Sequence, residues 1–350
     1  MESPVGSKRV TLAQVAELAG VSVMTASYTY NQPSRVSERS RSKVLAAAAQ
    51  LGYAGPDPSA RSLRRGSTRT LGVVMGEHLS YAFEDPEAVS FLAGIAGVCA
   101  DRGYGMTILP ITGAADDVLR VTGAAVDGFI VWTTSDDDPV LAAVRATKRP
   151  AVVHGGPAVP GLGLVSIDNR AAACAVGAVA FAGATRPAVL SFPLSRERIS
   201  TITHGSGIAD VLFPVTRERL EGYRQAAEEA GIAWRDVVVA VCSRNDAADA
   251  ERTAATLLAS AEPPDAIVAM SDQQAAGVLP AARAAGRAVP HEVAVTGWDD
   301  SALAAQLGLT TVAQSLREQG AACAQAALGG RTPVSRTAPW SVVRRGSTRP

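Results

Sequence analysis

Val10–Asn31, VTLAQVAELAGVSVMTASYTYN, decides how the rest of this chain is read. Thr11 can cap a helix, and Gln14 three residues later completes a capping box. Leu12, Val15, Ala16 and Ala19 then recur at i, i+3, i+4 and i+7, one apolar stripe. Gly20 supplies a permissive backbone for a tight turn, and Ser22 is a second N-cap. The helix that follows carries small and hydroxyl residues in place of a broad apolar face. Helix, short glycine turn and outward-looking helix is the arrangement that lays a recognition helix in a DNA major groove. An αα-hairpin within any helical domain is the competing reading.

The flanks extend the pattern. Asn31–Arg35 is a turn-rich link, and Ser37 caps a third helix ending near Gly52, with Val44, Ala47, Ala48 and Leu51 on its apolar face. Three such helices can enclose one small core. Charge is uneven as well. Residues 1–70 hold ten Lys and Arg against four acids, net +6, whereas the whole chain balances at 33 and 33. A basic head on an acidic body is the footprint of a phosphate-binding module. Beyond it, Asp57 as N-cap, Pro58 at the first helical position and Gly66 as a stop bracket about two helical turns. A helix that short is marginal alone. With Arg61, Arg64 and Arg65 around Leu63, it suits insertion into a minor groove, the alternative being an ordinary linker.

These motifs resemble the lactose/galactose repressor family. The matching pieces are T-L-x-x-V-A-x-x-A-G-V-S-x-x-T at Thr11–Thr25, N-x-x-x-x-V-S at Asn31–Ser37, L-G-Y at Leu51–Tyr53 and A-x-x-L at Ala60–Leu63. Downstream come V-D-G-F-I at Val126–Ile130, R-L-x-G-Y at Arg219–Tyr223, S-D-Q at Ser271–Gln273 and V-A-V-T-G-W-D-D at Val293–Asp300. The resemblance runs along essentially the whole chain in the family's order.

The body supports it independently. Valine-rich runs (LGVVM, GFIVW, AVVHG, AVLSF, VVVAV, AIVAM) alternate with alanine-rich helical stretches, the signature of parallel strands covered on both faces. A body this long suggests two lobes. The expected fold is therefore a small all-α helix-turn-helix head on an α/β body. The resemblance implies that the body comprises two doubly wound parallel-sheet subdomains of the periplasmic-binding-protein type. The head is assigned to residues 1–55, a hinge helix or linker to 56–69 and the body to 70–350. Within the body, an N-subdomain is expected at about 70–168 and 302–330, and a C-subdomain at about 169–300 and 334–350. Crossings are placed near Asp168–Arg170, Trp298–Ala302 and Gln314–Ser315, with a return near Pro333–Val343.

Several chemistries find no support. The N-terminus has no apolar signal-peptide core, and no stretch suggests a membrane span, so a cytoplasmic, nucleoid-associated protein without membrane contact is expected. Cys99, Cys174, Cys242 and Cys323 form no C-x-x-C pair and read as small hydrophobes. No metal site, catalytic triad, phosphate loop or dinucleotide fingerprint is found, so neither a cofactor nor a catalytic residue is expected. A cytoplasmic small-molecule-binding protein, or an enzyme on the same α/β body, is the alternative function.

The expected partners are a double-stranded, palindromic operator, a small-molecule effector and a second copy of the chain, as a homodimer or a higher assembly. Ser22, Thr25, Ser27, Asn31, Arg35 and Ser37, with Thr11 on the first helix, can bond phosphates. The resemblance places Val23, Met24 and Tyr28 against base edges and makes Tyr53, Ala60 and Leu63 hinge positions, Leu63 the wedge. Tyr28 departs from the family's usual arginine. The resemblance also carries Arg219 and Asp299 onto residues that hydrogen-bond an effector of the sugar or nucleoside class. Ser271 stands where asparagine is common, before Asp272. Tyr81, Phe83, Trp132 and Trp298 are candidates either for stacking on the effector or for the core. Leu194–Pro214 is longer than usual and has no assignable role.

Overall fold

The computed structural model describes residues 10–55, 66–76, 81–205, 207–330 and 332–350. The segment carrying Asp57, Ala60 and Leu63 therefore lies outside the described residues, as does the proposed hinge helix.

Among the described residues the head holds three α-helices, α1 (Leu12–Ala19), α2 (Val23–Asn31) and α3 (Glu38–Leu51). Local chemistry explains each boundary. Thr11 and Gln14 form the reciprocal capping box, and Gly20 closes α1 in a left-handed conformation at φ 61°. The Ser22 hydroxyl accepts from the Thr25 amide at 3.1 Å, and Ser37 caps α3 through the Ser40 amide at 3.3 Å. Val15, Ala16, Ala19, Ala26, Val44, Ala47 and Ala48 are the buried residues of this small core.

In the body, six parallel strands make the first sheet, in the order β12 (Ser335–Thr337), β5 (Gly163–Ser166), β4 (Ala151–His154), β3 (Gly128–Trp132), β1 (Thr70–Met75), β2 (Gly105–Pro110). After a short α4 (Tyr81–Glu84), α5 (Pro86–Arg102) covers one face, and α6 (Asp117–Thr122) and α7 (Pro139–Ala146) cover the other. The second sheet runs β10 (Ala294–Thr296), β9 (Ala266–Ala269), β6 (Pro187–Ser191), β8 (Val238–Val241), β7 (Ile202–His204), with only β7 antiparallel. Its faces carry α8 (Asn169–Phe181) with α9 (Pro214–Glu229), and α10 (Ala247–Leu258) with α11 (Asp272–Ala284). Strands buried on both sides explain the unbroken valine runs.

Beyond the second sheet lie α12 (Ala302–Leu307) and β11 (Thr311–Ala313), then α13 (Leu316–Leu328) and β13 (Ser341–Val343). Here the expected boundaries need correction. Ala304 and Leu309 are buried in the second lobe's core, Gly297 donates to the Thr310 carbonyl at 2.9 Å, and β11 pairs with β13. Residues 302–313 thus belong to the second lobe, and no crossing occurs at Trp298–Ala302. The chain passes to the first lobe at Gln314–Ser315, where α13 packs on α5. Gly94 and Gly320 allow that approach, because a methyl group on either would collide with the carbonyl of Arg317 or Phe91. Residues 335–337 still pair with β5, so the final return follows Thr337, within the expected Pro333–Val343, and only the second lobe's bound at 334 moves to after 337. All four cysteines are free, three of them buried.

Candidate functional site

Two places hold the residues singled out from the sequence. In the head, α2 buries only Ala26 and Thr29. Val23 and Met24 are 52 % and 64 % exposed at the start of that helix, beside the hydroxyl of Ser22. Ser27 and Tyr28 lie one turn further on. The Arg35 guanidinium sits 5.9 Å from the Tyr28 ring centroid, which restrains the tyrosine and brings a cation to the same edge. Asn31 donates to the Ser27 carbonyl at 3.1 Å, and Ser22 and Thr25 share a 2.9 Å hydroxyl contact. These polar groups are already oriented by the helix that presents them. Tyr53 stacks edge-on against Tyr30, with centroids 6.0 Å apart, and closes the end of α3 onto the core. Thr11 is exposed in its capping box, and Ser37 is exposed at the α3 cap.

The second place is a cleft of about 440 Å³ between the lobes of the body. It opens at the carboxyl ends of both sheets, where an open α/β sheet places its ligands. On the first-lobe wall, Trp132 ends β3 and His154 ends β4. Their rings stack at 5.1 Å, and Phe91 meets Trp132 edge-on at 4.4 Å. The second-lobe wall is charged. Arg219 is only 6 % exposed, its guanidinium 3.7 Å from the Trp298 ring centroid and 5.5 Å from that of Phe192. Its Nε donates to Asn169 Oδ1 at 3.1 Å, and Nη1 donates to the Met270 carbonyl. Asp299, at φ 112°, holds a backbone conformation that L residues rarely adopt. Its Oδ1 accepts from Gln314 Nε2 at 2.8 Å.

Burial dominates the electrostatics. It pushes the Asp299 carboxyl well above the usual range, and the negative charges of Glu87 and Asp272 push the same way against Arg219. Glu87 is raised to about 7, by burial first and then by Asp85 and Asp272. His154 is lowered to about 4 by burial, against its hydrogen bond to Gln319. Acids held up and a histidine held down are how a buried polar site keeps uncompensated charge low.

Of the expected effector residues, Trp132, Arg219 and Asp299 line the cleft. Trp298 is fully buried beneath Arg219 and supports it. Ser271 caps α11 and donates to Asn245 Oδ1, so it positions a lining residue. Asp272 turns inward, accepting from the Ser301 amide at 2.8 Å and the Thr311 hydroxyl at 2.7 Å. These bonds pin α12 and β11 to the second lobe. Phe83 is 65 % exposed and is not among the cleft's lining residues, and the Tyr81 side chain lies outside what is described. Sequence reasoning missed His154, Asn169, Asn245, Gln314 and Gln319. The signal for three of them was at hand: Asn169 and Gln314 fall at the expected crossings, which must pass the cleft, and His154 ends a valine strand.

The long segment 194–214 also acquires a structural role. Arg196 donates to the Ser135 hydroxyl at 2.6 Å and pairs with Asp137 at 2.7 Å, while Arg217, just beyond it, pairs with Asp136 at 2.6 Å. Asn245 reaches Asp85 at 2.7 Å elsewhere across the cleft. The lobes are thus bridged by polar contacts.

A helix-turn-helix head and a two-lobed body with a polar interlobe cleft define the class: a DNA-binding protein with a periplasmic-binding-protein-like body. Comparison with known proteins makes it specific. Residues 11–55 match the family described as bacterial regulatory proteins, lacI family, and residues 199–348 match a periplasmic binding protein-like domain. An HTH-type transcriptional regulator of Mycobacterium tuberculosis is 37 % identical over 324 residues, 91 % of this chain and 90 % of that one. A LacI-family regulator structure from Corynebacterium glutamicum superposes with TM-score 0.73 at 28 % identity, covering 98 % of this chain and 100 % of its own. The structure of the regulator CelR with cellobiose does so with TM-score 0.66 at 27 % identity, covering 97 % and 100 %. The chain belongs to the LacI family. It is a DNA-binding transcriptional regulator and not an enzyme. No helix among the described residues is long and apolar enough to cross a membrane.

Proposed function

We propose that this regulator is a repressor that binds a palindromic operator as a dimer and is released by a sugar or nucleoside effector held in the cleft. The observation that carries this reading is the cleft itself. Its 440 Å³ suits a small ligand, one wall offers aromatic rings, and the other offers a buried guanidinium, a carboxyl and carboxamides. Apolar ring faces stack on the first set, and hydroxyls bond the second through short, directional contacts. The cellobiose bound by the related CelR supports the ligand class.

In the head, Val23, Met24 and Tyr28 face bases, while Thr11, Ser22, Thr25, Ser27, Asn31, Arg35 and Ser37 contact phosphates. Tyr53, Ala60 and Leu63 serve the hinge. One such head neutralises few phosphates, and a two-fold pair doubles the contacts while matching operator symmetry. An effector that binds one arrangement of the lobes better than the other shifts operator affinity by the difference between its two affinities. The test is a thermal-shift screen of the full chain against neutral sugars, nucleosides and their phosphorylated forms, with hits carried into operator titrations. A hit that stabilises the protein and weakens operator binding supports the proposal. The absence of any sugar or nucleoside hit, or a hit that leaves operator affinity unchanged, overturns it.

A further inference from the structure

Four side chains form an unbroken hydrogen-bonded line along the cleft. His154 Nε2 lies 3.0 Å from Gln319 Oε1, Gln319 Nε2 donates to Gln314 Oε1 at 3.0 Å, and Gln314 Nε2 donates to Asp299 Oδ1 at 2.8 Å. The line begins at the end of β4 in the first lobe. It follows the chain's passage between lobes at Gln314–Gln319 and ends beyond β10 in the second. His154 Nδ1 is buried and has no hydrogen-bond partner among the described residues.

We propose that this line is a two-state polar switch: its direction of donation follows the proton on Asp299, and His154 reports it by which ring nitrogen carries hydrogen. The logic is that of donor and acceptor inventories. An ionised carboxylate only accepts, so Gln314 must turn its nitrogen to Asp299 and its oxygen to Gln319. Gln319 then turns its oxygen to His154, whose Nε2 must hold the hydrogen. When Asp299 gains a proton from solvent on Oδ1, it becomes a donor. Both carboxamides then rotate half a turn, exchanging oxygen for nitrogen of nearly equal size. Gln319 now donates to His154 Nε2, and the imidazole hydrogen moves to Nδ1 by exchange with water. The net change is one proton taken up, all of it at Asp299.

The surroundings make both states accessible. Glu87 on α5 and Asp272 on α11 oppose the charge on Asp299, and Arg219 on α9 favours it. Asp85, beside Glu87, adds to the negative side. A hydroxyl of an occupant donating to Asp299 would join Arg219 and select the ionised direction. The His154 ring is stacked on Trp132 and packed against Phe91, so its freedom is largely tautomeric. The first lobe would thereby receive a rearranged hydrogen bond from an event in the second. This use of the line rests on the effector reading above, whereas its chemistry does not.

The experiment uses the full chain labelled with 15N-histidine, without ligand, recorded by long-range 1H–15N correlation from pH 8.5 down to 5. Four histidines give the spectrum, and H154N assigns the relevant one. The expected result is an Nε2–H tautomer at high pH giving way to Nδ1–H, without imidazolium. The ring itself stays neutral down to about 4. Q314L keeps the Gln319 contact but cuts the line, so its tautomer should no longer follow pH. If Q314L does not fold, D299N, with no carboxyl proton to gain, should hold one tautomer throughout. A single tautomer across the range in the parent, or a Q314L or D299N variant that switches as the parent does, overturns the proposal. A switch observed with no effector ever found would sustain the line and sink the effector reading. An effector that binds while the tautomer stays fixed would do the reverse.

Discussion

Helix α2 and the cleft hold the side chains proposed to work in them at opposite extremes of exposure. Val23 and Met24 stand more than half in solvent, whereas Arg219 and Trp298 are 6 % and 0 % exposed. Exposing two apolar side chains forgoes about 1.5–3 kcal/mol of burial each, a fixed loss that DNA contact can recover. Burying a guanidinium near Asp299, Glu87 and Asp272 carries desolvation penalties of several kcal/mol per ion, which only close partners offset. The head is therefore cheap to alter, and its proposed DNA contacts lie at its surface. The cleft is a balanced network in which any missing partner is felt. A ligand that supplies hydrogen bonds to such a network acts on its stability directly.

The largest expected effect breaks that balance. Arg219→Ala removes the cation between Trp298 and Asn169 and leaves Asp299 and Glu218 without the positive charge that favours their ionised forms, so the body should lose about 3–5 kcal/mol. Urea unfolding of the full chain measures this, and a loss below about 1 kcal/mol would mean that the network is not held by Arg219.

The contrasting change in the head should leave stability nearly untouched and alter specificity. Tyr28→Arg replaces one hydroxyl with a bidentate fork, shifting the preferred base at one position per half-site by about 1–3 kcal/mol. Selection of binding sites from a random pool tests it. Identical binding preferences for variant and parent would show that residue 28 does not read bases.

A third prediction uses pH. Glu87 holds its proton more tightly folded than unfolded, so its stability contribution is full below its ordinary 4.5 and is lost as pH rises through about 7. Asp299 acts in the same sense. His154 does the opposite: its contribution is full above the ordinary 6.5 and is lost as pH falls toward about 4. The two arms oppose each other between 4.5 and 6.5. Glu87→Gln should flatten the alkaline loss, and His154→Asn should remove the acid loss. Melting temperatures across pH decide this, and unchanged profiles in both variants would refute the assignment.

The smallest effect belongs to the exposed bridges. Arg196→Ala should cost about 0–1 kcal/mol, because its partner Asp137 is mostly in solvent. A measurable loss that survives high salt would show that the contact is more than a screened ion pair.

The same contrast explains what the sequence disclosed. The head was legible because its determinants are local: the Thr11–Gln14 box, Gly20, and the Ser22 and Ser37 caps all act within a few residues. The valine strands were legible because burial on both faces leaves an unbroken pattern. The placement of residues 302–313 was not, since Ser301 signals a helix start but nothing nearby names the lobe it packs on. That choice is made by Asp272, 29 residues earlier, bonding Ser301. The cleft residues legible in the sequence were Arg219 and Asp299, which motifs mark, and Trp132, an aromatic at the end of a valine-rich strand. His154 and Gln319 meet across 165 positions, a separation no periodicity reports.

The most direct test of the account is operator affinity, with and without the effector selected by thermal shift, in the parent and in Asp299→Ala. The parent should change affinity by about 5- to 150-fold, the range of a 1–3 kcal/mol coupling. Asp299→Ala should lose that response while its ligand-free operator affinity stays close to the parent's. A variant that responds as the parent does would contradict the claim that the cleft controls DNA binding through Asp299, as would one that no longer binds operator without ligand.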